Sequence, residues 1–180
     1  MRILIAYAST EGQTRKIARF VFDRIAAAGH SVELLDAADA GDMTVEHFDA
    51  AVLAGSVHMG KLQTELVKFA QAHCAALNAM PTLFLAVSLA AAGDDPEDWK
   101  ALKELTQEFR DKTGWTAGRI EHIAGAFRFT DYDFFQTWAM RWIAAQKGQQ
   151  VVAGQDKEYT DWAALEACLA EWLTDVAKAD

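Results

Sequence analysis

At 180 residues the chain has room for one α/β domain and too little for two. It is 52% apolar and 24% charged, a composition that buries a substantial core and excludes a disordered segment. A formal net charge of −9 lacks the basic footprint that general nucleic-acid binding needs.

In chain order, "RILIAY" (2–7) reads as a buried strand, followed by a helix with Ile17, Val21 and Ile25 on one face and Gly29 as its stop. "SVELLDA" (31–37) and "DAAVLAGS" (49–56) are the second and third strands. A helix over about 61–78 turns Leu66, Phe69, Ala70, Cys74 and Leu77 inward. "TLFLAVSLA" (82–90) is the fourth strand, residues 91–119 are a polar loop and a charged helix, and "IEHIAGAF" (120–127) is the fifth strand. Residues 128–159 form a long connection, and connections of that length in a compact domain are usually functional. Thr160 or Asp161 caps a last helix whose apolar stripe is Trp162, Leu165, Leu169, Trp172 and Val176.

Apolar strands alternating with helices imply a parallel sheet covered on both faces, and right-handed crossovers make a doubly wound sheet the economical solution. Cys74 and Cys168 lie far apart, without CxxC or zinc spacing, and read as reduced core residues; no metal site is expected. The start enters "RILIAY" at once, too short for a signal peptide's apolar core. No apolar run reaches the roughly 18 residues that span a bilayer, so a cytoplasmic chain is expected.

The loop after the first strand carries the first chemical signal. In doubly wound sheets ligands bind beyond the carboxyl ends of strands. The following helix start offers free N–H groups that suit a phosphate. Neither Gly-Lys-Ser/Thr nor GxGxxG is present, which argues against a Walker nucleotide or a dinucleotide. What remains is Gly12 flanked by the hydroxyls of Ser9, Thr10 and Thr14, a set able to wrap a phosphate monoester. Helix capping is the competing reading for each hydroxyl alone.

"ASTEGQT" resembles the phosphate loop of flavodoxin-like proteins, which bind FMN. The resemblance implies a five-stranded parallel sheet of order 2-1-3-4-5 with helices on both faces, in one domain spanning 1–180. It places the FMN phosphate on Ser9, Thr10, Glu11, Gly12, Gln13 and Thr14. The ring is then flanked by Ser56, Val57, His58, Met59 and Gly60 after the third strand, and by Ser88, Leu89, Ala90 and Ala91 after the fourth. Gly125, Ala126 and Phe127 follow on the fifth. Neither ring-flanking loop supplies an aromatic residue, where flavodoxins often do.

Several separated segments are similar to one branch of that fold. "GSVHMGKLQTELVKF", "IAGAFRFTDYDFFQTWAMRWI" and "YTDW" resemble the quinone-dependent protoporphyrinogen oxidases of haem biosynthesis. That family oxidises protoporphyrinogen IX to protoporphyrin IX, with FMN as cofactor and a quinone as acceptor. Such chemistry belongs to the flavin, and no triad or metal cluster is needed. His58 is the one catalytic candidate, with a packing role as its alternative. Arg128 and Arg141 are candidates for substrate propionates. The aromatic stretch 134–143 either lies at the inner face of the cell membrane or packs over the sheet edge. A flavodoxin-like electron carrier or general quinone reductase is the alternative function, motivated by the acidic charge. A flavin-free binding module is a third reading.

Overall fold

The computed structural model describes residues 1–41, 43–127 and 156–179. Strands β1 (Arg2–Ala8), β2 (Ser31–Asp36), β3 (Ala50–His58), β5 (Thr82–Ser88) and β6 (Arg119–Ala124) form a parallel sheet in the order β2-β1-β3-β5-β6. Counting these five alone, the order is the expected 2-1-3-4-5. The sheet differs from that expectation by one short strand, β4 (Lys61–Leu62), which returns antiparallel onto the end of β3. A separate two-stranded ribbon pairs β7 (Ala126–Phe127) with β8 (Lys157–Glu158).

The three central strands are buried on both sides, and their side chains alternate between two cores. Ile3, Ile5 and Tyr7 of β1 join Val52, Leu83 and Leu85 on one face. That face is covered by α1 (Gln13–Ala27), through Ile17, Val21 and Ile25, and by α5 (Trp162–Ala179), through Leu165, Leu169, Trp172 and Val176. Leu4, Leu53 and Phe84 point the other way, against α2 (Thr64–Ala72), α3 (Cys74–Asn78) and α4 (Pro96–Thr113). Phe84, Phe109 and Trp115 make an aromatic knot there, with ring centroids 5.0 to 5.9 Å apart.

Some element boundaries differ from the sequence expectation. The helix expected over 61–78 begins only at Thr64. Met59 and Gly60 both take positive φ (51° and 71°), forming a two-residue turn that folds Lys61–Leu62 back onto β3. The helix is then interrupted at His73 (φ −112°, ψ 15°), and the Cys74 thiol is only half-buried rather than core. Cys168 is buried, and both cysteines are free. Burial, followed by the nearby Glu121 charge, pushes the Cys168 thiol up to about 11. At the last helix Asp161 is the cap, its Oδ1 accepting from Ala164 N at 2.9 Å; Thr160 is buried and engaged elsewhere. No helix among the described residues is long and apolar enough to cross a membrane. The stretch 134–143, Arg128 and Arg141 lie outside the described residues.

Candidate functional site

Parallel pairing brings the carboxyl ends of the strands to one edge. The register aligns Ala8 with Gly55, Ser56 with Val87 and Ser88 with Ala124, so the loops after β1, β3, β5 and β6 emerge side by side. They enclose a cavity of about 450 Å³, within the range of small-molecule and cofactor sites.

One end of the cavity is the β1–α1 loop, with Ser9, Thr10, Glu11, Gln13 and Thr14 on its wall. Gly12 is the residue before α1 and lies in the left-handed region (φ 89°), with no side chain capping the helix. The first intrahelical bond of α1 runs from Lys16 N to Gly12 O at 3.0 Å, so the amides of Gln13, Thr14 and Arg15 precede the helical ladder. Ser9 Oγ accepts from Gly12 N at 3.0 Å, a bond within the loop. The Thr14 hydroxyl is buried and has no hydrogen-bond partner. None of the loop's hydroxyls therefore caps α1. A buried orphan donor beside bare helix-start amides is what a phosphate oxygen would satisfy.

Ser56, Val57, His58, Met59 and Gly60 form the second wall, and Ser88, Leu89 and Ala90 the third. Met59 is 68% exposed at the rim. His58 ends β3, paired in register with Lys61. Ser88 Oγ accepts from Ala91 N at 3.1 Å, which holds the short 3-10 turn Ala90–Ala92 in place, while Ala91 itself does not reach the cavity. Gly125 and Ala126 line the remaining side; the side chain of Phe127 lies outside the described residues. Gly125 is fixed between Ser88 O, to which its N–H donates at 2.9 Å, and Tyr159 N, which donates to its carbonyl at 3.0 Å. Gln13 lines the wall but turns its amide to Thr160 Oγ1 (2.9 Å), and Thr160 donates on to Ala124 O (2.7 Å).

Sequence reasoning missed the fourth wall, which is α4. Asp98, Leu102, Glu104, Leu105 and Glu108 face the cavity from a helix that reads, residue by residue, as a solvated charged segment. Burial, and then the neighbouring Asp95, raises the Asp98 carboxyl above its ordinary range. The bond from Lys112 holds Glu108 below it. Among the described lining residues there are four carboxylates (Glu11, Asp98, Glu104 and Glu108), no lysine or arginine, and no aromatic ring except the His58 imidazole. It also missed Gln63, whose Nε2 donates to Thr10 Oγ1 at 3.1 Å and contacts Ser56 Oγ. No group of side chains able to hold a metal ion occurs among the described residues.

The sequence model of the flavodoxin domain matches residues 4–152. The chain belongs to the flavodoxin domain family. Its cofactor is FMN, and the orphan Thr14 hydroxyl at the bare start of α1 fits the phosphate of that group. Oxidised flavodoxin 1 from Bacillus cereus shares the fold, with a TM-score of 0.51, 15% identity, and coverage of 80% of this chain and 95% of that one. Two similar sequences are both named protoporphyrinogen IX dehydrogenase [quinone]. The one from Escherichia coli K12 is 25% identical over 90% of this chain and 89% of its own length. The one from Leishmania major is 24% identical over 91% of this chain and 71% of its own length.

Proposed function

We propose that this flavodoxin-family protein is an FMN-dependent oxidoreductase that converts protoporphyrinogen IX to protoporphyrin IX, with a quinone as electron acceptor. The observation that carries the reading is the near full-length similarity to relatives bearing that name, which extends through the connection after β6. The overall change removes six electrons and six protons from the substrate and delivers them to three quinones as three hydroquinones. Bound FMN supplies the redox chemistry.

The chain's own residues bind and orient. Ser9, Thr10 and Thr14, with the amides of Gln13–Arg15, hold the phosphate at the positive end of α1. Residues 56–60 and 88–90 flank the ring, and Gly125 and Ala126 close the third side. Without aromatic faces, Met59, Leu89, Leu102 and Leu105 are the apolar side chains of the lining that would receive the ring. His58, on the cavity wall, is the chain's candidate for exchanging a proton with a bound substrate. Arg128 and Arg141 remain candidates for the substrate propionates on the strength of the resemblance alone.

The acidic wall of the cavity favours a second reading, a general quinone reductase or electron carrier. Four carboxylates oppose a dianionic substrate and leave a neutral quinone unaffected. An anaerobic assay separates the two. The FMN-loaded protein is given protoporphyrinogen IX with a quinone, and porphyrin fluorescence is followed. A rate well above the uncatalysed one, dependent on the quinone, supports the first reading. A flavin-loaded protein that leaves the porphyrinogen at its background rate yet donates electrons to quinones supports the second.

A further inference from the structure

The serine and threonine hydroxyls that line the cavity as oriented groups share one polarity. Ser9 Oγ accepts from Gly12 N, and Ser88 Oγ accepts from Ala91 N. Thr10 and Ser56 both accept from the same donor, the side-chain amide of Gln63. Among the described residues none of these four hydroxyls gives its own proton to a protein acceptor. A hydroxyl has one O–H to donate, so each proton is left for whatever fills the cavity.

Gln63 occupies the position before α2, where a side chain commonly caps its own helix, yet it makes no such bond. Its amide turns instead across the mouths of two strands. Thr10 lies on the loop after β1, 53 positions away in sequence, and Ser56 at the end of β3. The two N–H groups of one primary amide match the two hydroxyls it faces. The carbonyl Oε1 is buried without a partner and lies near Gly55. Gln63 does not itself line the cavity.

We propose that Gln63 is a positioning residue for the cofactor: its amide fixes one hydroxyl donor on the β1–α1 loop and one at the end of β3. This rests on the FMN reading of the site. By occupying a lone pair of Thr10 and of Ser56, Gln63 aims their protons at ligand acceptors, the phosphate oxygens on one side and the more distant polar atoms of the flavin on the other. It also ties the β1–α1 loop to the end of β3, so the phosphate end and the ring end are set at a fixed separation before the cofactor arrives.

The test is FMN titration of the flavin-stripped protein, read by quenching of flavin fluorescence, with the circular-dichroism spectrum and melting point as a fold control. Gln63→Leu keeps the bulk and removes the donors, and FMN affinity is expected to fall about tenfold. Gln63→Glu offers only acceptors, captures the two protons, and is expected to weaken FMN at least as much. In a Thr10→Ala/Ser56→Ala background, Gln63→Leu is expected to change affinity by no more than about twofold, because its partners are already gone. Wild-type affinity in either single variant would overturn the proposal. So would a full tenfold loss that persists without the two hydroxyls, since Gln63 would then act through packing alone. A wild-type chain that takes up no FMN would remove the cofactor reading itself, whereas normal uptake by wild type and Gln63→Leu alike removes only the role of Gln63.

Discussion

The Thr14 hydroxyl is buried, unpartnered and placed on the first turn of α1. A buried donor with no acceptor costs about 1–3 kcal/mol, so the free protein carries it at a loss unless a ligand completes it. Thr14→Val, which keeps the shape, is therefore expected to raise the stability of the flavin-free protein by about 1 kcal/mol while weakening FMN about tenfold. Chemical denaturation and flavin titration measure the two opposite signs. A residue serving only as a cap would lose stability instead, with FMN affinity unmoved. Cys168 gives a second prediction at this scale. Burial holds its thiol up to about 11, so the unfolded chain ionises first as pH rises past the ordinary thiol value. The stabilisation is complete below the unfolded value and is lost on the way to the folded one. Cys168→Ala is expected to flatten the fall in unfolding midpoint between pH 8 and pH 10.5 relative to wild type.

At the scale of elements, the close approach of α2 to β3 depends on Gly55. A Cβ there would overlap Leu66 Cδ2 and stand 3.0 Å from Leu62 Cδ2, so the ends of these two side chains would have to leave their present positions between α2 and the β3–β4 hairpin. Gly55→Ala is expected to cost about 1–3 kcal/mol, read as a lower urea midpoint with unchanged slope. Nothing in the sequence marks Gly55 as a packing residue, because its neighbours are seven and eleven positions away. The same limit explains the misread start of α2. "KLQTEL" has good helix formers, and only the positive φ of Met59 and Gly60, with pairing to β3, turns its first two residues into a strand. The strands themselves were legible because a two-sided sheet demands unbroken apolar runs, and β1, β3 and β5 supply them. The β1–α1 loop was legible because its composition and its place after a strand point to the same use. The α4 wall was not. Asp98, Glu104 and Glu108 look like a solvated face until packing aims them at the cavity. Gln63 was hidden for a related reason, since its partners are set by the sheet register rather than by helical spacing.

Across the whole molecule, the two ends of the chain are joined at the cavity's edge. Lys16 on the first turn of α1 meets Glu158 on β8 at 2.6 Å, and Trp162 Nε1 donates to the other oxygen of that carboxylate at 2.8 Å. Lys16 Nζ also lies 5.1 Å from the Trp162 ring centroid. Together with Gln13, Thr160 and Ala124, this fastens the return of the chain after residues 128–155 to the helix that begins at the phosphate loop. It also commits Lys16 to an ion pair, which is consistent with a phosphate site built from neutral donors and backbone amides. Burial alone would raise the Glu158 carboxyl, but the bonds from Lys16, Trp162 and Gln13 outweigh it and hold the group below its ordinary range. The sign follows directly. A carboxyl whose folded value is depressed contributes stability above its unfolded value, near 4.5, and loses that contribution as pH falls through the folded one. The pair is partly exposed, so its worth at neutral pH is expected to stay under about 1 kcal/mol. Glu158→Gln should lower the urea midpoint at pH 7 by a correspondingly small amount and narrow the gap between the pH 7 and pH 3.5 midpoints. Lys16→Met should do the same, and the double variant should add little to either. Independent, additive losses would show instead that the two side chains act separately and that the clamp between α1 and β8 is carried by Gln13 and Thr160.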